Sequence, residues 1–111
     1  MDIEYRKGIM FLRLTGILNR YTSFILDDMI KKMVNKAGIK YLLLNFENLS
    51  SIDVFGINTI LNCYNKYFKK DGKLMICGYR KSINKTQNIN NLLSCAFVLK
   101  NELSAFNLIN I

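Results

Sequence analysis

The chain has no histidine, no proline and three cysteines in 111 residues, and its 8 acidic side chains are outnumbered by 16 basic ones. Without histidine there is no imidazole to act as a general base, to activate a cysteine nucleophile or to share a zinc ion with thiolates. Cys63, Cys77 and Cys95 are odd in number and follow no metal-ligand spacing, so they read as buried, inert thiols, and no cofactor or metal is expected. No Gly/Ser linker, low-complexity block or internal repeat divides the chain, which predicts one domain over residues 1–111. The longest apolar runs, such as Ile9–Leu12 and Tyr41–Leu44, are too short to cross a bilayer. No basic start followed by an apolar stretch and a small-residue cleavage site is present, so the expected address is the cytoplasm, without membrane insertion.

Half of the residues are hydrophobic and 22% are charged, which fits a folded chain rather than a disordered or fibrous one. A chain of this size buries roughly two thirds of its unfolded surface, enough for one core. The net charge is +8, and seven basic residues fall between Lys66 and Lys85 against the single acid Asp71. That stretch could meet nucleic acid, anionic lipid or an acidic partner, with Tyr64, Tyr67 and Tyr79 nearby as stacking faces. However, Lys, Asn and Ile supply 40 of the 111 residues. An AT-rich genome produces that bias unaided, so solvated lysines suffice and no specific nucleic-acid partner is expected.

The hydrophobic pattern predicts two strands at 3–6 and 9–15, joined by the turn-like pair Lys7-Gly8. Ile9, Phe11 and Leu14 come close to the alternation of a half-buried strand, and Gly16 is expected to end it. Thr22 or Ser23 then suits an N-cap, with Leu26, Met29, Ile30, Met33 and Ala37 forming an apolar helix stripe that Gly38 stops. The continuous apolar run 40–46 predicts an interior strand covered on both faces, followed by a polar loop over 48–53. A second amphipathic helix is expected from Val54 to Lys70, then a strand at 73–78, a helix around 83–93, a strand at 97–99 and a helix over 102–109. The order β-β-α-β-α-β-α-β-α implies an α/β domain with one mixed, mostly parallel sheet packed by helices. Function in such sheets usually sits at the carboxyl ends of the strands, which selects the segments 16–22 and 48–56.

Several strings in this order resemble STAS domains. Leu12-Arg13-Leu14-Thr15-Gly16-Ile17-Leu18-Asn19 is similar to the family's opening, and Leu42 through Asp53 to its central strand and loop. Gly56 with Ile57–Leu61 is similar to the helix that follows, and Lys73–Gly78 to the next strand. Among STAS proteins the chain most resembles bacterial anti-sigma-factor antagonists of the sporulation type. The resemblance implies a STAS-like single domain that binds a serine-kinase-like anti-sigma factor as a monomer and so releases a sigma factor in sporulation or stress signalling. In that family the kinase phosphorylates the serine of an Asp-Ser-Ser-Gly pattern, and a phosphate adding about −1.5 to −2 charges disrupts the interface. Here the corresponding residues are Asp53-Val54-Phe55-Gly56, so Phe55 stands at the acceptor position without a hydroxyl. Asn19 stands where the family usually has aspartate.

The resemblance therefore implies a partner-binding surface of Asn19, Arg20, Tyr21, Thr22, Asp53, Val54, Phe55 and Gly56, lacking the usual phosphorylation switch. Phe55 reads either as an apolar anchor in that surface or as ordinary core. Ser50, Ser51 and Thr59 are the remaining hydroxyls near it, and loop or cap roles suit them equally. Loss of the serine also fits a STAS scaffold or adaptor subunit in a signalling assembly or lipid-transport complex. Catalysis is not expected: Asp27-Asp28 suits a helix start, and Asp53 suits an N-cap better than a general base.

Overall fold

The computed structural model describes residues 1–84 and 88–110; Lys85, and with it part of the helix expected over 83–93, lies outside the described residues. The strands are β1 (Asp2–Arg6), β2 (Ile9–Leu18), β3 (Tyr41–Ile52), β4 (Lys73–Cys77) and β5 (Phe97–Leu99). The helices are α1 (Arg20–Ala37), α2 (Val54–Cys63), α3 (Ile89–Cys95) and α4 (Ser104–Ile109). A wide π turn over Tyr64–Phe68 continues α2, and a short 3₁₀ turn spans Lys81–Ile83. The sheet order is β1-β2-β3-β4-β5, with β1 antiparallel to β2 and every other pair parallel. This is the mixed α/β sheet that the element order predicts.

Alternation along the strands divides the core. Met10, Leu12, Leu42, Leu44, Phe46, Leu74 and Ile76 pack with Leu26 and Ile30 of α1, Ile57 and Ile60 of α2 and Leu92 of α3. Ile9, Phe11, Leu43, Met75 and Cys77 face the other way and meet Ala105 of α4, with the Phe11 and Phe106 rings 5.7 Å apart. Because both faces are covered, Ile9 through Leu12 are all buried. The expectation of a half-buried second strand is corrected on this point. On the α4 face, Arg13 ties the sheet to the segment before α4. It donates to both carboxylate oxygens of Glu102 at 2.8 Å, to Asp2 at 2.9 Å and to Glu4 at 2.9 Å. The guanidinium holds the Glu102 carboxyl below the usual carboxylate range against the opposing effect of burial. Burial first, then Asp27, pushes the Cys63 thiol up to about 12. Burial, then Glu102 and Glu47, pushes Cys77 up to about 11.

Helix α2 ends at Cys63 rather than Lys70, α3 spans Ile89–Cys95 rather than 83–93, and three further boundaries differ in ways that shape the site. Gly16 does not end β2: at φ +77° it makes an irregularity, and pairing resumes with Ile17↔Ser51 and Leu18↔Ile52. The expected polar loop over 48–53 is correspondingly strand as far as Ile52. Beyond Asn45, β3 has no β4 residue beside it, and Arg80 serves those carbonyls instead. Its Nη1 donates to the carbonyls of Phe46 (3.1 Å), Glu47 (2.9 Å) and Gly78 (3.1 Å), and its Nη2 to Leu49 (2.6 Å). Helix α1 likewise starts earlier than expected, with Asn19 as its cap, and ends as expected at Gly38 (φ +60°).

Candidate functional site

Extension of β2 and β3 reduces each strand-to-helix connection to one residue. Asn19 alone joins β2 to α1, and Asp53 alone joins β3 to α2. Each is the helix cap. Asn19 Oδ1 accepts from the Tyr21 and Thr22 N–H groups (3.0 and 3.1 Å), while the Asn19 N–H donates back to Thr22 Oγ1 (2.8 Å), closing a capping box. Thr22 is thus the third residue of α1 and not its cap, and Ser23 is buried one position further on. Asp53 Oδ1 accepts from the Gly56 N–H at 3.0 Å, and the Asp53 N–H donates to the Leu18 carbonyl at 3.1 Å. Cap oxygens of this kind contribute about 1 kcal/mol each.

Gly56 is buried, and its requirement is space rather than backbone freedom. A Cβ there would lie 2.9 Å from both the Leu18 carbonyl oxygen and Ile52 Cγ1. The missing side chain lets the first turn of α2 sit against the ends of β2 and β3, side by side with the start of α1. Gly56 therefore shapes the surface from beneath. Asn19, Thr22, Asp53 and Val54 are half-buried, whereas Arg20 and Tyr21 are exposed.

Phe55 resolves in favour of exposure: the residue keeps 49% of its accessible area, and its ring sits 5.9 Å from the Arg20 guanidinium carbon. Phe24 (74% exposed) shares a groove with it, while Tyr21 (76%), Ile25 (57%) and Ile17 (53%) are also exposed at the start of α1, Ile17 and Ile25 lining a separate hollow with Met1 and Leu14. Ile17, Phe24 and Ile25 were not among the site residues expected from sequence, although one signal was available. Phe24 precedes Leu26 by two residues, about 200° around a helix, so it points nearly opposite the core stripe. A groove of about 420 Å³ runs between α1 and α2, walled by Phe24 and Phe55 and also lined by Arg20, Ser23, Thr59 and Lys66. Ser50 is exposed and Ser51 half-buried on β3; Thr59 is half-buried at the groove.

Of the basic residues expected over Lys66–Lys85, Lys66, Lys69 and Lys70 line one surface hollow with Asp71, and Lys85 lies outside the described residues. Lys66 also lines the groove, Lys73 opens β4, and Arg80 lies past that strand's other end with its guanidinium engaged by carbonyls. Tyr64, Tyr67 and Tyr79 are half-buried against the core. The larger cavity, about 610 Å³ on the α4 side, is lined by Arg13, Asn45, Arg80 and Glu102 among others. Arg13 and Arg80 spend their donors on protein carboxylates and carbonyls there, so it is a polar seam of the fold. No group of three or more Cys, Asp or Glu side chains among the described residues could hold a metal ion. No helix among them is long and apolar enough to cross a membrane.

The chain thus presents a mixed five-stranded sheet with two helices starting side by side from adjacent strand ends. Residues 1–103 match the STAS domain family, and the chain belongs to that family. It is 22% identical over 105 residues to an anti-sigma F factor antagonist of Paenibacillus polymyxa, covering 95% of this chain and 90% of that protein. The fold is similar to that of a Thermotoga maritima protein solved as a candidate anti-sigma factor antagonist: TM-score 0.86, 14% identity, 99% of this chain and 94% of the other. It is also similar to the Bacillus cell fate determinant SpoIIAA in its phosphorylated form: TM-score 0.74, 17% identity, 97% of each chain.

Proposed function

We propose that this chain is an anti-sigma-factor antagonist that binds a kinase-like anti-sigma factor in the bacterial cytoplasm as a monomer, releasing a sigma factor without a serine-phosphorylation switch. The observation that carries this reading is the exposure of Phe55 on the first turn of α2, where with Phe24 of α1 it walls the groove between the two helices. Scattered exposed apolar residues need no explanation, but apolar walls on one groove suit partner contact. The Paenibacillus relative supports the partner class. The surface comprises Asn19, Arg20, Tyr21, Thr22, Asp53, Val54 and Phe55, supported by Gly56, and we include Phe24, which shares the groove with Phe55. Loss of the acceptor hydroxyl also suits a STAS scaffold or adaptor, and neighbouring genes for transporter components rather than a kinase and sigma factor would favour that alternative.

The test pairs binding with phosphorylation. Purified protein is titrated with the anti-sigma factors encoded in its own genome, then incubated with the binder and ATP for intact-mass measurement. A complex with at least one of them and an unchanged mass are expected. The Phe55→Ser variant is expected to gain one phosphate. A phosphate on the wild-type chain, mapped to Ser50, Ser51 or Thr59, would contradict the absence of a switch. No complex with any of them would contradict the function.

A further inference from the structure

Resting on the reading of this surface as the partner site, we infer that its partner is acidic here: a protein segment bearing a carboxylate sits over Arg20 and the paired helix starts, with its apolar side chains between Phe24 and Phe55. Helices α1 and α2 begin side by side, and each N-terminus carries the equivalent of roughly half a positive charge. Neither first turn contains an acid, although acids are favoured there, and α1 places Arg20 in that position instead. One cap is neutral Asn19; the other, Asp53, already accepts from Gly56.

Two independent features mark polar groups to which the described residues give no partner. The Arg20 side chain makes no ion pair or hydrogen bond with any described residue, and its guanidinium lies over the Phe55 ring. Ser23 lines the groove at 4% exposure, and its Oγ is buried without a hydrogen-bond partner. A hydroxyl buried without a partner is destabilising, and an acceptor in the groove relieves this once the Ser23 side chain turns about its Cα–Cβ bond toward it. The one acid lining the groove, Asp27, accepts from Cys63 Sγ at 3.5 Å, and Lys66 lines the same groove. Two bases, Arg20 and Lys66, thus face that one acid, and the side chains lining the groove are net positive. The +8 net charge reinforces attraction of an acidic partner from a distance. The aromatic and aliphatic walls call for a partner with apolar side chains beside its acid, which a protein segment supplies.

Asn19→Asp tests this with little effect on folding, because aspartate caps a helix as well as asparagine does. With an unchanged melting temperature, this variant is expected to bind the genome-encoded anti-sigma factor about tenfold more weakly, and Arg20→Glu about a hundredfold more weakly. Added salt should weaken the wild type, and Arg20→Glu to a lesser degree. Unchanged or tighter binding by both variants, with Phe55→Asp still abolishing the complex, would overturn the acidic partner and leave the site standing. Full binding by all three variants, or no complex with the wild type, would overturn the site as well. Retention of the wild type but not Arg20→Glu on single-stranded DNA at physiological salt would assign the positive edge to nucleic acid and reject the proposal.

Discussion

Phe55→Asp is expected to weaken anti-sigma-factor binding by about a hundredfold or more while leaving the chain folded. Burying a large apolar side chain contributes about 1.5–3 kcal/mol, and 1.4 kcal/mol is tenfold in affinity. Phe55 keeps 49% of its area free, so part of that gain is available to a partner. The aspartate would add a desolvated negative charge facing an acidic partner and would remove the ring beneath Arg20. The fold should tolerate it, because a carboxylate in the first turn of α2 interacts favourably with the helix dipole. Phe55→Ala, which removes only the apolar contact, is expected to lose about tenfold. Titration calorimetry of both variants, alongside thermal melts showing unchanged folding, measures the difference.

Arg80→Met is expected to lower unfolding stability by about 2–3 kcal/mol, as judged by denaturant titration, and to weaken partner binding through contacts 31 to 34 residues away in sequence. Methionine keeps an apolar stem but leaves the carbonyls of Phe46, Glu47, Leu49 and Gly78 without their donor. Hydrogen bonds to charged groups contribute about 1.5–3 kcal/mol each when buried, but two of these four are at the surface, where water replaces the guanidinium. The segment they hold is the end of β3, which carries Asp53 and so sets the start of α2. Arg80→Lys should fall between the two, since one ammonium cannot reproduce a planar fork spanning four acceptors. Unchanged stability in Arg80→Met would show that pairing with β2 alone holds the extension.

How the sequence relates to this structure depends on the range of the interactions that set each feature. Gly38 ends α1 as read, because a left-handed glycine after a helix is a local event. The runs Tyr41–Leu44 and Lys73–Cys77 are strands as read, since their apolar continuity reflects cover on both faces. Gly16 misleads because a positive φ commonly marks a strand end, whereas here the two neighbouring strands resume pairing past it. The polar segment Asn48–Ser51 looks like loop because the group that stabilises it as strand, Arg80, lies about thirty residues downstream. Thr22 and Ser23 attract the cap assignment through their hydroxyls, but the Asn19–Thr22 pair forms the reciprocal box. The exposed apolar residues were half legible. Tyr21 and Phe55 follow from their place at the helix starts, and Phe24 and Ile25 from lying off the core stripe, but Ile17 required the strand extension to be seen.

The central claim is that the paired starts of α1 and α2 form the partner surface. Amide hydrogen exchange of the chain, alone and with the anti-sigma factor that binds it, tests this most directly. Slower exchange is expected over residues 17–25 and 53–59, with β5 and the segment before α4 unaffected. Protection confined to Phe97–Leu103, at the far edge of the sheet, with residues 17–25 and 53–59 exchanging as in the free protein, would contradict it.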